Sequence, residues 1–219
     1  MNAKNRDMHG VEASPEELVL ALSNWRDIML LGDGWPDDDA PWWYNERASV
    51  SQLAGAIWRC RPRIKPAWVL EEFSVERSVD DRRGYGRCDL LIDLGKLRLI
   101  TEAKQLWPRL DLGADIEIAA ELKALQEEAA SQLDSLKAPP KDYAPFTLTF
   151  ISPAVTERLN ADPSSLNAQL EELISATRRA GRKSTCLAWA FPASRRNTLE
   201  SPRYPGTYFP GCILVLSPC

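Results

Sequence analysis

The chain has 219 residues, of which 44% are hydrophobic and 26% charged, with a net charge of −4 and a pI of about 5.2. That length buries a substantial core in one α/β domain, and the acidic balance excludes an overall electrostatic clamp for nucleic acid, leaving only a local patch for such contact. A single histidine, His9, removes Ser-His-Asp hydrolysis, Cys-His proteolysis, His-ligated zinc and histidine-based nucleases, so that carboxylate and lysine chemistry is left.

The five cysteines, Cys60, Cys88, Cys186, Cys212 and Cys219, are odd in number and form no C-x-x-C pair. They point to a reducing, cytoplasmic compartment without a thiolate zinc site. No apolar run approaches the roughly 18 residues of a membrane span and no signal-peptide pattern is present, so a soluble protein with no membrane partner is expected.

In chain order, residues 1–13 form a polar leader with no apolar periodicity, expected to be mobile. Ser14-Pro15-Glu16-Glu17 is a helix start with Ser14 as cap, followed by the stripe Leu18, Leu22, Trp25 and Met29 and by Gly32 as terminator. Residues 32–44 read as a loop. Its Asp37-Asp38-Asp39 lacks the alternating ligands of a calcium loop, and Trp42-Trp43-Tyr44 reads as a lid on the next helix or a partner surface.

Asn45 caps a second helix whose inward stripe is Val50, Leu53, Ala54 and Ile57, and Glu46 lies at the end of that stripe. A carboxylate aimed along a core-facing stripe needs a partner, although a first-turn glutamate also suits the helix dipole. Residues 59–65 form a basic connector, in which Arg61 and Arg63 read as solvated charges or as a phosphate-steering rim. Residues 68–75 read as a strand containing Glu72. Residues 80–86, with Arg82 and Arg83, read as a turn that enters a hairpin through Arg87.

That hairpin is the most informative stretch. Two runs rich in Leu and Ile flank Gly95-Lys96, the signature of a two-residue turn. If Leu94 pairs with Leu97, then Asp93 faces Arg98, Leu91 faces Ile100 and Asp89 faces Glu102. Opposed carboxylates with Cβ atoms about 5 Å apart repel unless something neutralises them, and a divalent cation does so. The strand period puts Lys104 on the face of Glu102, with Ala103 turned away. The bland alternative is a surface ion-pair ladder. Glu121-Leu-Lys123 repeats the spelling inside residues 114–136, where a helical pattern makes the two side chains diverge.

Beyond the hairpin, Trp107-Pro108 ends the strand, Ile118, Leu122, Leu125, Ala129 and Leu136 mark an amphipathic helix, and Pro139-Pro140 stops it. Residues 146–151 read as a buried strand. Asp162-Pro163 starts a helix ended by Gly181, and residues 186–191 and 212–216 read as strands separated by a loop with Arg195 and Arg196.

Gly86-Arg87-Cys88-Asp89-Leu90-Leu91-Ile92 followed by Ile100-Thr101-Glu102-Ala103-Lys104, in the order helix, three strands, helix, strand, resembles the core of the PD-(D/E)XK nuclease superfamily, the restriction-endonuclease-like phosphodiesterases. Cys88 stands where the eponymous proline would be. The resemblance covers residues 45–152 and implies an α/β fold with an αβββαβ core: a mixed sheet flanked by helices, an N-terminal addition over residues 1–44 and a C-terminal extension over residues 153–219. It implies Asp89, Glu102 and the Ala103 carbonyl as ligands for Mg²⁺, with Mn²⁺ substituting. Lys104 and Glu46 complete the catalytic set, and Glu72 and Gln105 rank behind them. DNA is the implied substrate, with Arg61, Arg63, Arg82, Arg83 and Arg87 as candidate contacts. The rival expectation is a non-catalytic nucleic-acid- or protein-binding subunit that keeps the fold, in a homo-oligomer or with a protein partner.

Overall fold

The computed structural model describes residues 6–31, 36, 39–79, 82–111, 116–136, 140–195 and 200–219, except the side chains of residues 77–79, 82–84 and 195. Gly32, Asp37, Asp38, Pro139 and Arg196 therefore lie outside the described residues, as do the side chains of Arg82, Arg83 and Arg195. Among the described residues no helix is long and apolar enough to cross a membrane.

The fold is a mixed α/β structure. Its strands are β1 (Met8–Glu12), β2 (Trp68–Val79), β3 (Arg82–Leu94), β4 (Leu97–Leu106), β5 (Arg109–Leu110), β6 (Ala144–Ile151), β7 (Ala154–Thr156), β8 (Cys186–Phe191), β9 (Thr207–Tyr208) and β10 (Cys212–Pro218). Its helices are α1 (Glu16–Leu31), α2 (Glu46–Trp58), α3 (Ala119–Asp134), α4 (Glu157–Asn160) and α5 (Pro163–Ala180), with 3₁₀ turns at Pro41–Trp43 and Ala193–Arg195. Seven strands form one sheet in the order β1-β8-β10-β6-β4-β3-β2, and β5-β7-β9 form a small second sheet. In the large sheet only β4 and β6 run parallel; β10 inserts between β8 and β6, antiparallel to both.

The alternation of apolar side chains along the strands divides the core into two layers. Leu90, Ile92, Leu99, Ala103, Leu148 and Leu214 face α1 and α2, meeting Leu22, Trp25, Leu53 and Ile57. Ile151, Leu187, Ile213 and Val215 face α3 and α5, meeting Leu122, Leu166, Leu170 and Leu173. A smaller cluster of Cys88, Leu91, Ile100, Leu133 and Leu136 seats the hairpin on α3, with Phe73 and Val75 packed against it. Residues 45–152 thus run helix, three strands, helix, strand as expected, with the two-residue β5 added before α3.

Local chemistry fixes the ends. The Asn45 side chain accepts a hydrogen bond from the Ala48 amide at 3.2 Å, and Asp162 caps α5 through the amides of Ser164 and Ser165, which satisfies donors that the first helical turn leaves open. Gly95 takes φ +76° at the hairpin turn, and the Asp93 carboxylate accepts from its amide at 2.9 Å.

Several expectations need correcting. The leader is not structureless: Met8–Glu12 is an edge strand on β8, with His9 opposite Ala190. Its bonds go to a partner about 180 residues away, which local periodicity cannot register. The first strand extends to Val79, and β3 begins at Arg82 rather than after a turn reaching Gly86. The third helix spans Ala119–Asp134 where residues 114–136 were expected, with Ile118 at its start and Ser135 at its end; residues 114 and 115 lie outside the described residues.

Candidate active site

The hairpin register is the one its turn dictates: Leu94 pairs with Leu97, Asp93 with Arg98 and Leu91 with Ile100. Arg98 closes on Asp93 at 3.1 Å. The ladder stops at Leu90 and Thr101, one pair short of Asp89 and Glu102. Asp89 instead aims its side chain at β4, where Oδ2 accepts from the Ala103 amide at 2.6 Å. A carboxylate thus takes the place of the next ladder carbonyl while β4 continues along its parallel partner β6, with Glu102 beside Thr147. The β2 side is interrupted at the same level: Glu71 pairs with Leu90 and Phe73 with Cys88, but Glu72 and Asp89 form no pair, and Glu72 takes φ 47°. β3 is therefore released by both neighbours at Asp89.

Glu102 is 3% exposed. Lys104, two residues on, turns to α3: its Nζ lies 2.9 Å from Glu128 Oε1 and donates to Gln132 Oε1 at 2.9 Å. Glu46, at the start of α2, completes the cluster. Burial pushes its carboxyl up to about 7, the negative charges of Asp89 and Glu128 push the same way, and Lys104 and Arg47 oppose them. The charges of Glu46, Asp89, Lys104 and Glu128 therefore act on one another from α2, β3, β4 and α3.

Glu128 and Gln132 are functional candidates that sequence reasoning misses. They lie one helical turn apart on α3, and the spacing that puts both on one face was the available signal. Gln105 points to the opposite side of β4, donating to the Trp42 carbonyl and to Ser152 Oγ, each at 3.3 Å. It ties down the 3₁₀ turn leading into Asn45 and Glu46, and so positions α2 without joining the Lys104 contacts.

Glu72 is placed at the rim. Its two oxygens meet Arg47 Nε at 2.8 Å and Arg87 Nη1 at 2.6 Å. The left-handed backbone costs a non-glycine residue about 1–2 kcal/mol, and exposed ion pairs return about 0–1 kcal/mol each, so the two arginine contacts offset much of the cost of this conformation. Arg61 and Arg63 lie elsewhere. They follow the far end of the 13-residue α2, roughly 20 Å from Glu46, and the connector's Ile64 and Lys65 pack near Gly95 at the turn end of the hairpin. Arg61 is engaged with the Ala67 carbonyl at 3.1 Å and the Trp58 ring at 4.2 Å. The basic connector therefore does not rim this site; among the described side chains, Arg47 and Arg87 do.

Among the described residues no group of three His, Cys, Asp or Glu is arranged to hold a metal ion. The donors that the resemblance implies, two carboxylates and the Ala103 carbonyl, are hard oxygens of the kind Mg²⁺ takes. The repulsion that favours a proton on Glu46 is the condition that a cation relieves, so the residues fit such an ion in chemistry. An open cleft of about 520 Å³, lined by His9, Arg178 and Trp189 among others, lies apart from these residues. Compared with known proteins, the chain matches no protein-family model, no curated protein and no solved structure.

Proposed function

We propose that this protein is a Mg²⁺-dependent phosphodiesterase with a restriction-endonuclease-like αβββαβ core, a nuclease that hydrolyses DNA. The observation that carries the reading is the arrangement at the end of the hairpin: Asp89, unpaired by both neighbouring strands, accepts from the Ala103 amide, Glu102 is buried next to Ala103 on β4, Lys104 turns to α3, and the Glu46 carboxyl is close enough to feel both Asp89 and Lys104. Acid, acid and lysine from separate elements thus share one field, as perturbed groups at functional sites do. The element order over residues 45–152 supports the same reading.

Asp89, Glu102 and the Ala103 carbonyl would hold the cation, with Mn²⁺ able to substitute. When bound, Mg²⁺ supplies charge neutralisation at the scissile phosphate and acidifies a water. Asp89 is held in place by the Ala103 amide. The Lys104 ammonium, fixed by Glu128 and Gln132, orients the attacking water and offsets charge building on the phosphoryl oxygens. Glu46, at the start of α2, would complete the metal shell or position water.

The test is incubation with Mg²⁺, Mn²⁺ or EDTA on plasmid, linear duplex, single-stranded DNA and RNA. Cleavage of DNA that requires the divalent ion is expected, together with loss of both cleavage and calorimetric Mg²⁺ binding in Glu102→Gln. Full activity in that variant refutes the assignment. One observation favours a second reading, a binding subunit that keeps the fold: the Lys104 ammonium is already paired with Glu128. That reading predicts nucleic-acid or protein binding without cleavage under every ion condition.

A further inference from the structure

We infer that Arg47, Arg87 and Tyr85 form the subsite that holds the substrate strand beside the scissile phosphate, and that this strand is unpaired there; the inference rests on the nuclease reading above. Arg47 is adjacent to Glu46 in α2, and Arg87 lies two residues before Asp89 in β3. Two of the elements that supply a site carboxylate, α2 and β3, thus also supply an arginine, and both arginines end on the single carboxylate of Glu72. Their side chains are 72% and 64% exposed. The planar guanidinium groups match phosphate geometry.

The left-handed Glu72 supplies the reason these arginines are held together. A sparsely populated backbone conformation of this kind clusters at functional sites, and here it brings both arginines onto one carboxylate. Glu72 acts here as a positioning residue, fixing two cations at the mouth of an otherwise acidic site.

Tyr85 identifies the kind of strand. The pairs Ser74 with Arg87 and Glu76 with Tyr85 place Tyr85 and Arg87 on one face of the β2/β3 ribbon. The opposite face carries Phe73, Val75 and Cys88, which pack toward α3. Tyr85 is 89% exposed, so its ring is open to a partner. Paired bases are stacked within the helix, whereas a splayed base stacks on an exposed aromatic ring next to a phosphate contact.

The experiment uses the Glu102→Gln protein as a non-cleaving parent and follows fluorescence anisotropy of a labelled single-stranded oligonucleotide and its duplex across a salt series. Tighter binding of the single strand is expected. Arg47→Gln with Arg87→Gln should reduce the slope of log K against log salt by about 0.7 for each phosphate that is no longer neutralised. Tyr85→Ala should weaken single-strand binding about tenfold and leave the slope unchanged, while Arg61→Gln with Arg63→Gln at the far end of α2 alters neither quantity. Unchanged affinity and slope in the Arg47/Arg87 variant, or a parent that prefers duplex, overturns this subsite while the nuclease reading stands. A parent that binds no nucleic acid overturns both.

Discussion

Glu46→Gln tests the shared field of the site without relying on catalysis. A carboxyl raised from 4.5 to about 7 on folding binds more protons folded than unfolded between those values. Its stabilising contribution is complete below about pH 4.5 and is lost as pH rises through about 7. At about 1.36 kcal/mol per pKa unit the full effect is roughly 3 kcal/mol, and solvent reaching this half-buried group reduces it to about 1–2 kcal/mol. Gln keeps the shape and lacks the charge. Without divalent cations, Glu46→Gln should therefore melt about 2–8 °C above the parent near pH 8, at about 2–4 °C per kcal/mol for a chain of this size, with the gap closing near pH 4.5. Circular dichroism melts at both pH values measure it, and added Mg²⁺ should narrow the gap by stabilising the parent. Equal melting temperatures near pH 8, or a gap that does not change with pH, would refute the crowding of Glu46 by Asp89 and Glu128.

Lys104→Ala should retain Mg²⁺ and nucleic-acid affinity by calorimetry and anisotropy but lose cleavage by at least about 100-fold, the scale of one well-placed electrostatic group; collapse of metal affinity would contradict its role. Alanine at both Glu121 and Lys123 should keep cleavage within about twofold and stability within about 1 kcal/mol, because this pair lies on α3 and Lys123 makes only an exposed contact with Glu127 at 3.7 Å. Activity lost there, in a protein still folded by circular dichroism, would mean that the wrong Glu-x-Lys had been chosen. Gly10→Ala should destabilise by about 1–3 kcal/mol in denaturant titration, because a Cβ on β1 at that position runs into the Trp189 ring; no change would argue against β1 docking on β8.

What the sequence makes legible is what local chemistry decides. Gly95 fixes the hairpin register, Asn45 and Asp162 fix helix starts, and apolar alternation marks the buried strands. The candidate site was read from residue types along β3 and β4 and from Glu46, while its geometry was not legible. The end of the ladder at Leu90 and Thr101 depends on β4 continuing along β6, a partner more than 40 residues away. The left-handed Glu72 has no glycine or asparagine to announce it. Glu128 and Gln132 reach Lys104 from a helix whose rotation only the packed core determines. The misplaced basic connector shows the same limit: a charge run declares its sign, while the length of α2 decides which end of the hairpin it joins.

The position of β10 has a consequence for how the protein is made. Cys212–Pro218 is translated after the other strands of the large sheet, yet it lies between β8 and β6 and is hydrogen-bonded to both. Until it arrives, β2, β3, β4 and β6 can assemble with one side of β6 unpaired, while β1 and β8 meet that half of the sheet only through helix packing. Closure depends on pairings remote in sequence, the kind that slows folding, and an open strand edge invites the wrong partner meanwhile. The sheet therefore becomes continuous only when β10 inserts, the last of its strands to be made.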